Sequence, residues 1–591
     1  MIVSGTWLNS PRPAVIAAGR GSFLNGVEVN EPRKPWPLRS RQAKLAAVGA
    51  GALLIGGLAI GPAAIGAAAP PKYPAAEQHK PSPVPDRIIL IPTATPATSQ
   101  RVSWRAEATA DTAQAEILIA PRALGQVQPA AGAVTNVKAI ASTPVNTTLG
   151  YASTYHTVEF GGLRPDTRYT YRVGDGTNWS PWTDFTTAAA GFEPFSFIYY
   201  GDAQNYIDSA VPRVFRQAFG DRPQAKAIVN AGDLIDSANS EEQWGQWFQA
   251  GGFIDGQVNN ISVPGNHEYS GGLSTFWRPQ FPYPDNGPGN AELKQTAYTV
   301  DYQGVRFVGL DSNVQSNASL MAAQTAWLES VLKDNPNKWT VVTFHHPVYS
   351  TTGTRNNPNV RAQWAPLFEK YGVDLVLQGH DHSYGRGNQV AARKSTTVHN
   401  GVAYVVSVSG GKMYALNNGE NWTGNGAEVR STSQNTQLYQ LIDVAEDTIT
   451  FEARYANGEH HDGFLIRKND KGERTVNEIR TAENTVGEQV TVDKTSVRRA
   501  EQVKISAYGY DPGEKVAVWW RERDDDAARH GGGNGNGGRN GTLIGYEKAD
   551  ELGRVEETVR VPSSAKRGDA YVVYLDSEHQ KIASPAITVT R

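Results

Sequence analysis

The sequence predicts a multidomain chain in which one α/β domain stands between two all-β sandwich domains. Three observations carry that prediction. The chain has 591 residues, and a single hydrophobic core stops growing well short of such a length. Two stretches, residues 86–190 and 488–591, consist of short runs that alternate apolar and polar residues between turn residues, the pattern of a β-sandwich. In residues 193–470 apolar strands alternate instead with helical segments, which argues α/β.

Residues 1–69 read as a leader. Leu45–Ala69 carries no charge and follows Arg33, Lys34, Arg39, Arg41 and Lys44, while small residues such as Ala67 and Ala69 close the run. Basic residues before an apolar run that ends in small side chains mark an export signal, here either a cleaved signal peptide or an uncleaved membrane anchor. Residues 70–85 are Pro-rich and read as a spacer.

The first sandwich is carried by RIILIPTA, QRVSWRA, AEILIA, HTVEF, TRYTYRVGDG and PWTDFTT. The central region runs through FSFIYY, a helix near Ala210–Phe219, AIVNA, a helix near Glu241–Ala250, ISVP and VRFVGLD. It continues through a helix near Ala322–Leu332, WTVVTFHH, a helix near Arg361–Tyr371, VDLVLQGH and AYVVSVSGG. The last region returns to strands (VKISAYGY, KVAVWW, RVEETVRVP, AYVVYLD), interrupted by a Gly/Asn-rich loop at 531–538. No internal repeat is visible.

With 56 basic against 59 acidic side chains the net charge is −3, so no long-range field recruits nucleic acid, and none is expected as a stable partner. The chain has no Cys. That excludes disulfides, thiolate metal sites and cysteine nucleophiles together. Any metal must sit on nitrogen and oxygen.

Five segments place such donors just after apolar strands of the central region: Gly201-Asp202-Ala203-Gln204, Gly232-Asp233-Leu234-Ile235-Asp236, Gly265-Asn266-His267-Glu268, His345-His346-Pro347 and Gly379-His380-Asp381-His382. Ligands collect at the carboxyl ends of strands in α/β sheets, so side chains this far apart in sequence can converge. Carboxylate, amide oxygen and imidazole suit Mn, Fe, Zn or Mg rather than a soft metal, and their number suggests two ions. A shared carboxylate between two ions is the arrangement that activates water against a phosphoryl group.

This ordered set, GD, GDxxD, GNHE, HHP and GHDH, resembles the calcineurin-like metallophosphoesterases. The sandwich in front of it, whose GLRPDTRYTYRVGDG stretch resembles fibronectin type III domains with Leu163, Tyr169 and Tyr171 as core and corner residues, narrows the resemblance to bacterial relatives of purple acid phosphatases. It covers roughly residues 86–470. The resemblance implies a β-sandwich flanked by helices for residues 193–470, with two divalent or mixed-valence ions of Fe, Mn or Zn. It implies that Asp202, Asp233 and His382 bind the first ion and that Asp233, Asn266, His345 and His380 bind the second, with Asp233 bridging. His267 is implied beside the scissile phosphate, as a hydrogen-bond donor to the substrate or as the acid for the leaving group.

The sequence departs from the purple acid phosphatase pattern at two places. Asp236 stands where those enzymes carry a tyrosine, which predicts a colourless protein and makes Asp236 a carboxylate held next to a ligand. Gln204 stands where many relatives have an imidazole, and is either a ligand or a hydrogen-bond donor. Asn205, Tyr206, Tyr384 and Arg386 are read as structural residues that could face the pocket. His346, next to His345 on a strand end, and Arg361 or Arg355 are read as contacts to the substrate or to the ligands. His460 and His461 lie in NGEHHDGF, read as a solvated turn, and Asp524–Asp526 as a solvated loop.

The expected function is that of an exported phosphoesterase, secreted, periplasmic or at the cell surface. It would hydrolyse small phosphate mono- and/or diesters by in-line attack of a metal-bridging hydroxide. The alternative is a surface protein whose sandwiches contact envelope or matrix and whose central domain is inactive.

Overall fold

The computed structural model describes residues 73–107, 112–124, 134–395, 397–478, 489–523, 541–577 and 581–590. The leader, the Gly/Asn-rich loop and Asp524–Asp526 lie outside the described residues. No helix among the described residues is long and apolar enough to cross a membrane.

Two sheets build the central domain, and each has a parallel core because helices cross over between its strands. In the first, Phe195–Tyr200, Ala227–Asn230 and Asn259–Ser262 run parallel, paired at Phe197↔Ala227 and Asn230↔Ser262. Helices Val211–Asp221 and Glu241–Gly251 make the two crossovers. Ser240 caps the second of these by accepting the N–H of Gln243, a role suited to a short hydroxyl side chain. In the second sheet Val305–Gly309, Trp339–Thr343, Leu375–Gln378 and Ala403–Val406 run parallel, joined through helices Ala318–Lys333 and Pro358–Lys370.

Alternation along these strands sorts the cores. Phe307, Val341, Leu377 and Val405 point to the first sheet, whose facing residues include Phe197, Val229 and Ile442. Phe197 and Phe307 touch edge to face at 5.3 Å. The intervening residues Val308, Val342, Val376 and Tyr404 point the other way, onto Leu328, Trp364 and Phe368 of the helices. Burial on both faces explains why these strands read as unbroken apolar runs.

The N-terminal sandwich does not stand apart. Its first strand, Asp86–Ile91, adds in parallel to Asn259–Ser262 through Leu90↔Asn259, so one sheet of twelve strands runs through both domains. The opposing sheet of the sandwich holds Gln114–Ile119, Arg168–Gly174 and Thr183–Thr186, and Trp104, Val158, Ile117, Tyr171 and Phe185 fill the space between. Tyr169 forms the expected corner, its hydroxyl accepting the N–H of Arg164 at 2.9 Å. Tyr171 reaches further and donates to the Gly256 carbonyl of the central domain at 2.7 Å.

The stretch expected as a free spacer is held down where it is described. Ala75–Gln78 forms a helical turn and His79 is buried, its carbonyl accepting Arg105 Nη1 at 2.7 Å. His460 and His461 open the strand His460–Lys468 rather than lying in a solvated turn. His461 is half-buried and accepts or donates at the Tyr455 hydroxyl, 2.8 Å away. The C-terminal region folds as two small sheets around Val503, Ile505, Val518 and Val573.

Candidate metal centre

All five motif segments leave the carboxyl ends of parallel strands, and the two sheets deliver them to one place. Asp202, at the end of the first sheet, forms an isolated bridge to Val408 at the end of the second. Contact this close depends on Gly201, where a Cβ would stand 1.9 Å from the Ser407 carbonyl oxygen. Asp233, His380 and His382 all adopt positive φ, at 51°, 77° and 46°. Each such non-glycine residue costs of the order of 1–3 kcal/mol, and clusters of them accompany functional sites.

The hydrogen bonds fix which atoms are left over. His345 Nδ1 donates to the Ala231 carbonyl at 2.9 Å, so in the neutral ring Nε2 carries a lone pair. Asp233 Oδ2, Asn266 Oδ1 and His380 Nδ1 each lie 3.1 Å from that nitrogen. His382 repeats the arrangement: Nδ1 is committed to the Lys412 carbonyl at 3.0 Å, and Nε2 faces Asp202 Oδ2 at 3.1 Å. Lone pairs are thus turned on lone pairs, and Asp202 Oδ2 and Gln204 Oε1 are buried with no hydrogen-bond partner.

Such a set needs a cation. Asp233, His345 and His380 form one group of donor atoms lying within 4.8 Å of one another, and Asp202, Asp233 and His382 form a second. The two groups share Asp233, so the donor chemistry fits a pair of metal ions. The electrostatics agree. Burial works to lower the His345 imidazole, but the carboxylates of Asp233 and Asp202 outweigh it and push it up to about 9. Burial, with His345 next, holds His380 well below the usual imidazole range, which keeps it neutral as a ligand must be.

Around this centre the other expected residues separate. Gln204 Nε2 reaches both Asp233 Oδ2, at 3.1 Å, and His382 Nε2, at 2.8 Å. His267 Nδ1 donates to the Asp236 carbonyl at 2.6 Å and its Nε2 lies 4.0 Å from Asp233 Oδ2, with the side chain about a quarter exposed. The Asp236 carboxylate lies on His267, 3.6 Å from Nδ1, and belongs to neither donor group. His346 packs its ring 4.4 Å from that of His380. Ser312 Oγ accepts the His346 N–H at 2.9 Å and lies 2.9 Å from His346 Nδ1, which holds the ring in place.

Three residues that could have faced the pocket or the substrate are held elsewhere, Tyr384 and Arg386 in keeping with the structural reading. Tyr384 is fully buried and donates to Asp462 at 2.7 Å, because its strand turns that face into the core. Arg386 is spent on Asp462 and Glu478. Arg361 donates to the Val348 carbonyl at 3.1 Å. Tyr206 is about half exposed at the rim. Arg355 instead reaches the centre, donating to the His380 carbonyl and stacking over Tyr414 at 4.9 Å.

Two residues have a role that the motif reading did not assign. Glu268 is fully buried and accepts the backbone N–H groups of Gly265, Leu234 and Asp233 at 2.7, 2.8 and 2.9 Å, tying the two loops that carry Asp233 and Asn266. Asp381 accepts from Thr351 N at 2.6 Å and Ser350 Oγ at 2.8 Å, tying the loop after His345 to the GHDH turn. Both stand inside the motifs, and a carboxylate between ligands was the available signal.

Residues 196–384 match the description "Calcineurin-like phosphoesterase" and residues 85–187 match "Purple acid Phosphatase, N-terminal domain". The central region is thus similar to calcineurin-like phosphoesterases, and the sandwich before it to the N-terminal domain of purple acid phosphatases. It is 26% identical over 259 residues to acid phosphatase type 7 of Mus musculus, covering 39% of this chain and 56% of that protein. It is 24% identical over 289 residues to Fe(3+)-Zn(2+) purple acid phosphatase 12 of Arabidopsis thaliana, covering 46% and 59%. The chain thus spans little more than half the length of these relatives. Purple acid phosphatase PPD1 from yellow lupin seeds has the same fold, with a TM-score of 0.54 at 18% identity over 66% of this chain and 75% of that one.

Proposed function

We propose that this chain is a two-metal hydrolase of small phosphate mono- and/or diesters. One observation supports the reading above the others: two donor groups share Asp233 while the outer nitrogens of His345 and His382 are committed to backbone carbonyls. Asp202, Asp233 and His382 would hold one ion and Asp233, Asn266, His345 and His380 the other. Bound there, the pair supplies the Lewis-acid charge that activates water and stabilises a phosphoryl transition state. The complete donor set argues against an inactive central domain.

The chain's own groups do the rest. The Asp236 carbonyl commits His267 Nδ1–H, so that Nε2 handles the proton at the site and in the imidazolium form gives it to the departing ester oxygen. The His346 ring and the Arg355 guanidinium stand by His380 and would meet phosphate oxygens there. Glu268 and Asp381 hold the ligand loops at fixed spacing, which is how outer hydrogen bonds tune a metal site. Export rests on the Leu45–Ala69 run with its basic flank.

The test is hydrolysis of 4-nitrophenyl phosphate before chelation, after it, and after metal is restored. Loss and recovery are expected, with two metal ions per chain. Activity that survives chelation with no metal bound refutes the reading.

A further inference from the structure

A cavity of about 560 Å³ opens beside His267 and Asn266. Its walls include Asp236, Ser237, Asn239, Ser240 and Ser270 of the central domain and Thr148 from the N-terminal sandwich. Building on the function proposed above, we propose that this cavity receives the departing alcohol and selects an uncharged, hydroxyl-rich one, a sugar or polyol, with the sandwich acting as a specificity element.

Position comes first. His267 and Asn266 line the cavity, and His267 Nε2 lies 4.0 Å from Asp233 Oδ2, so the cavity adjoins the shared donor residue and is placed for the leaving group. Thr148 reaches it from the turn between strands Ala141–Asn146 and Ala152–Phe160. The turn is held by its own bonds: Thr147 N donates to the Tyr151 carbonyl at 3.0 Å, and Leu149 N to Thr147 Oγ1 at 3.3 Å.

Chemistry comes second. The walls contain no Lys or Arg, and their one carboxylate is Asp236. The hydroxyls of Thr148, Ser237 and Ser270 make no hydrogen bond to the described residues, and Ser240 Oγ only accepts, from Gln243 N at 3.3 Å, so its proton is free to be donated. Asn239 spends its oxygen on Thr275 N at 3.1 Å and keeps its amide hydrogens. Five small donors with acceptor capacity match a polyhydroxy ligand, which pairs every hydroxyl in both directions. A second phosphate would lie against Asp236 with no cation to answer it. The basic groups near the donor residues, Arg355 and Lys412, do not line the cavity; both stand over the Tyr414 ring beside His382.

The experiment compares kcat/KM of the metal-loaded full chain for inositol monophosphate and inositol hexakisphosphate, in the wild type and in Thr148→Arg and Ser270→Arg. The wild type is expected to prefer the monophosphate at least tenfold. Either variant should lower that preference at least threefold by adding the missing cation. Equal rates on the two inositol phosphates, a preference for the hexakisphosphate, or a ratio unmoved in both variants overturns the inference. A metal-loaded enzyme that hydrolyses neither these two esters nor 4-nitrophenyl phosphate refutes the phosphoesterase reading instead, so the two failures are distinct.

Discussion

Replacing Glu241 by Gln tests whether a buried charge cluster holds the N-terminal sandwich to the central domain. Glu241 opens a central-domain helix and has no exposed side-chain surface, while the Arg87 and Arg105 side chains that reach it from the sandwich are 3% and 2% exposed. Arg87 gives two bonds to the carboxylate, at 2.9 and 3.1 Å, and Arg105 Nη1 and Ser153 Oγ add one each, the latter at 3.1 Å. Arg105 also keeps Asp86, at 2.7 Å from its Nε. Arg87 has only neutral alternatives, the Tyr155 hydroxyl at 2.8 Å and the Glu241 carbonyl at 3.4 Å. The variant therefore leaves one buried guanidinium without a counter-charge, which costs about 3–5 kcal/mol. Against a typical stability of about 5–15 kcal/mol this is a large loss. Urea unfolding of wild type, Glu241→Gln, Arg87→Met and the double variant measures it. The double variant should cost less than the sum of the singles, because removing Arg87 removes the orphaned charge. A single-variant loss below about 1 kcal/mol, in the range of an exposed pair, would refute the reasoning.

Asp233→Asn should lower kcat/KM for 4-nitrophenyl phosphate more than tenfold, over about 1.4 kcal/mol of barrier, and reduce bound metal from two ions to at most one, read by elemental analysis. Gln204→His should tighten one ion at least tenfold in chelator competition, since Gln204 already sits between Asp233 and His382 with its oxygen buried and unpartnered; unchanged affinity would make Gln204 a hydrogen-bond donor only. Asp255 predicts a pH dependence away from the site: burial pushes its carboxyl up to about 8, and its Oδ2 has no partner. As pH rises from about 4 the unfolded chain releases this proton first, so the folded state loses about 1.4 kcal/mol per pH unit until pH reaches about 8. Asp255→Asn should therefore raise the thermal midpoint at pH 7, leave it near wild type at pH 4, and flatten the slope between.

The five donor segments were legible because each is a local event. An apolar strand ends, and a turn follows that carries Asp, Asn or His. Parallel sheets then bring those ends together wherever the crossovers are right-handed and short. The four helices lie where the pattern placed them, as Val211–Asp221, Glu241–Gly251, Ala318–Lys333 and Pro358–Lys370. What was not legible depends on the direction of a single side chain. Tyr384 and Arg386 follow the GHDH turn closely, yet both face Asp462 from another strand, and nothing in SYGR tells inside from pocket. The joining of the two domains was illegible for a different reason. The continuous sheet rests on one parallel pairing, Leu90↔Asn259, and neither strand's sequence names a partner in the other domain.

The glycines of the donor motifs show why sequence and site agree so closely at these positions. A Cβ on Gly265 would fall 2.2 Å from Asp233 Oδ1, and one on Gly379 would fall 2.2 Å from Asp202 Oδ1. In each case the residue just before one ligand is the surface on which the carboxylate of another ligand rests. His267 N and His380 N then donate to those same oxygens, at 2.8 and 2.6 Å. One oxygen of each carboxylate is fixed by backbone, and Oδ2 is left for the cation. A larger residue before Asn266 or before His380 would displace the carboxylate of the neighbouring loop rather than its own ligand. The GN and GH pairs therefore encode contacts between loops, not merely tight turns, and two carboxylates more than thirty residues apart in the chain are brought into one donor group by backbone contacts.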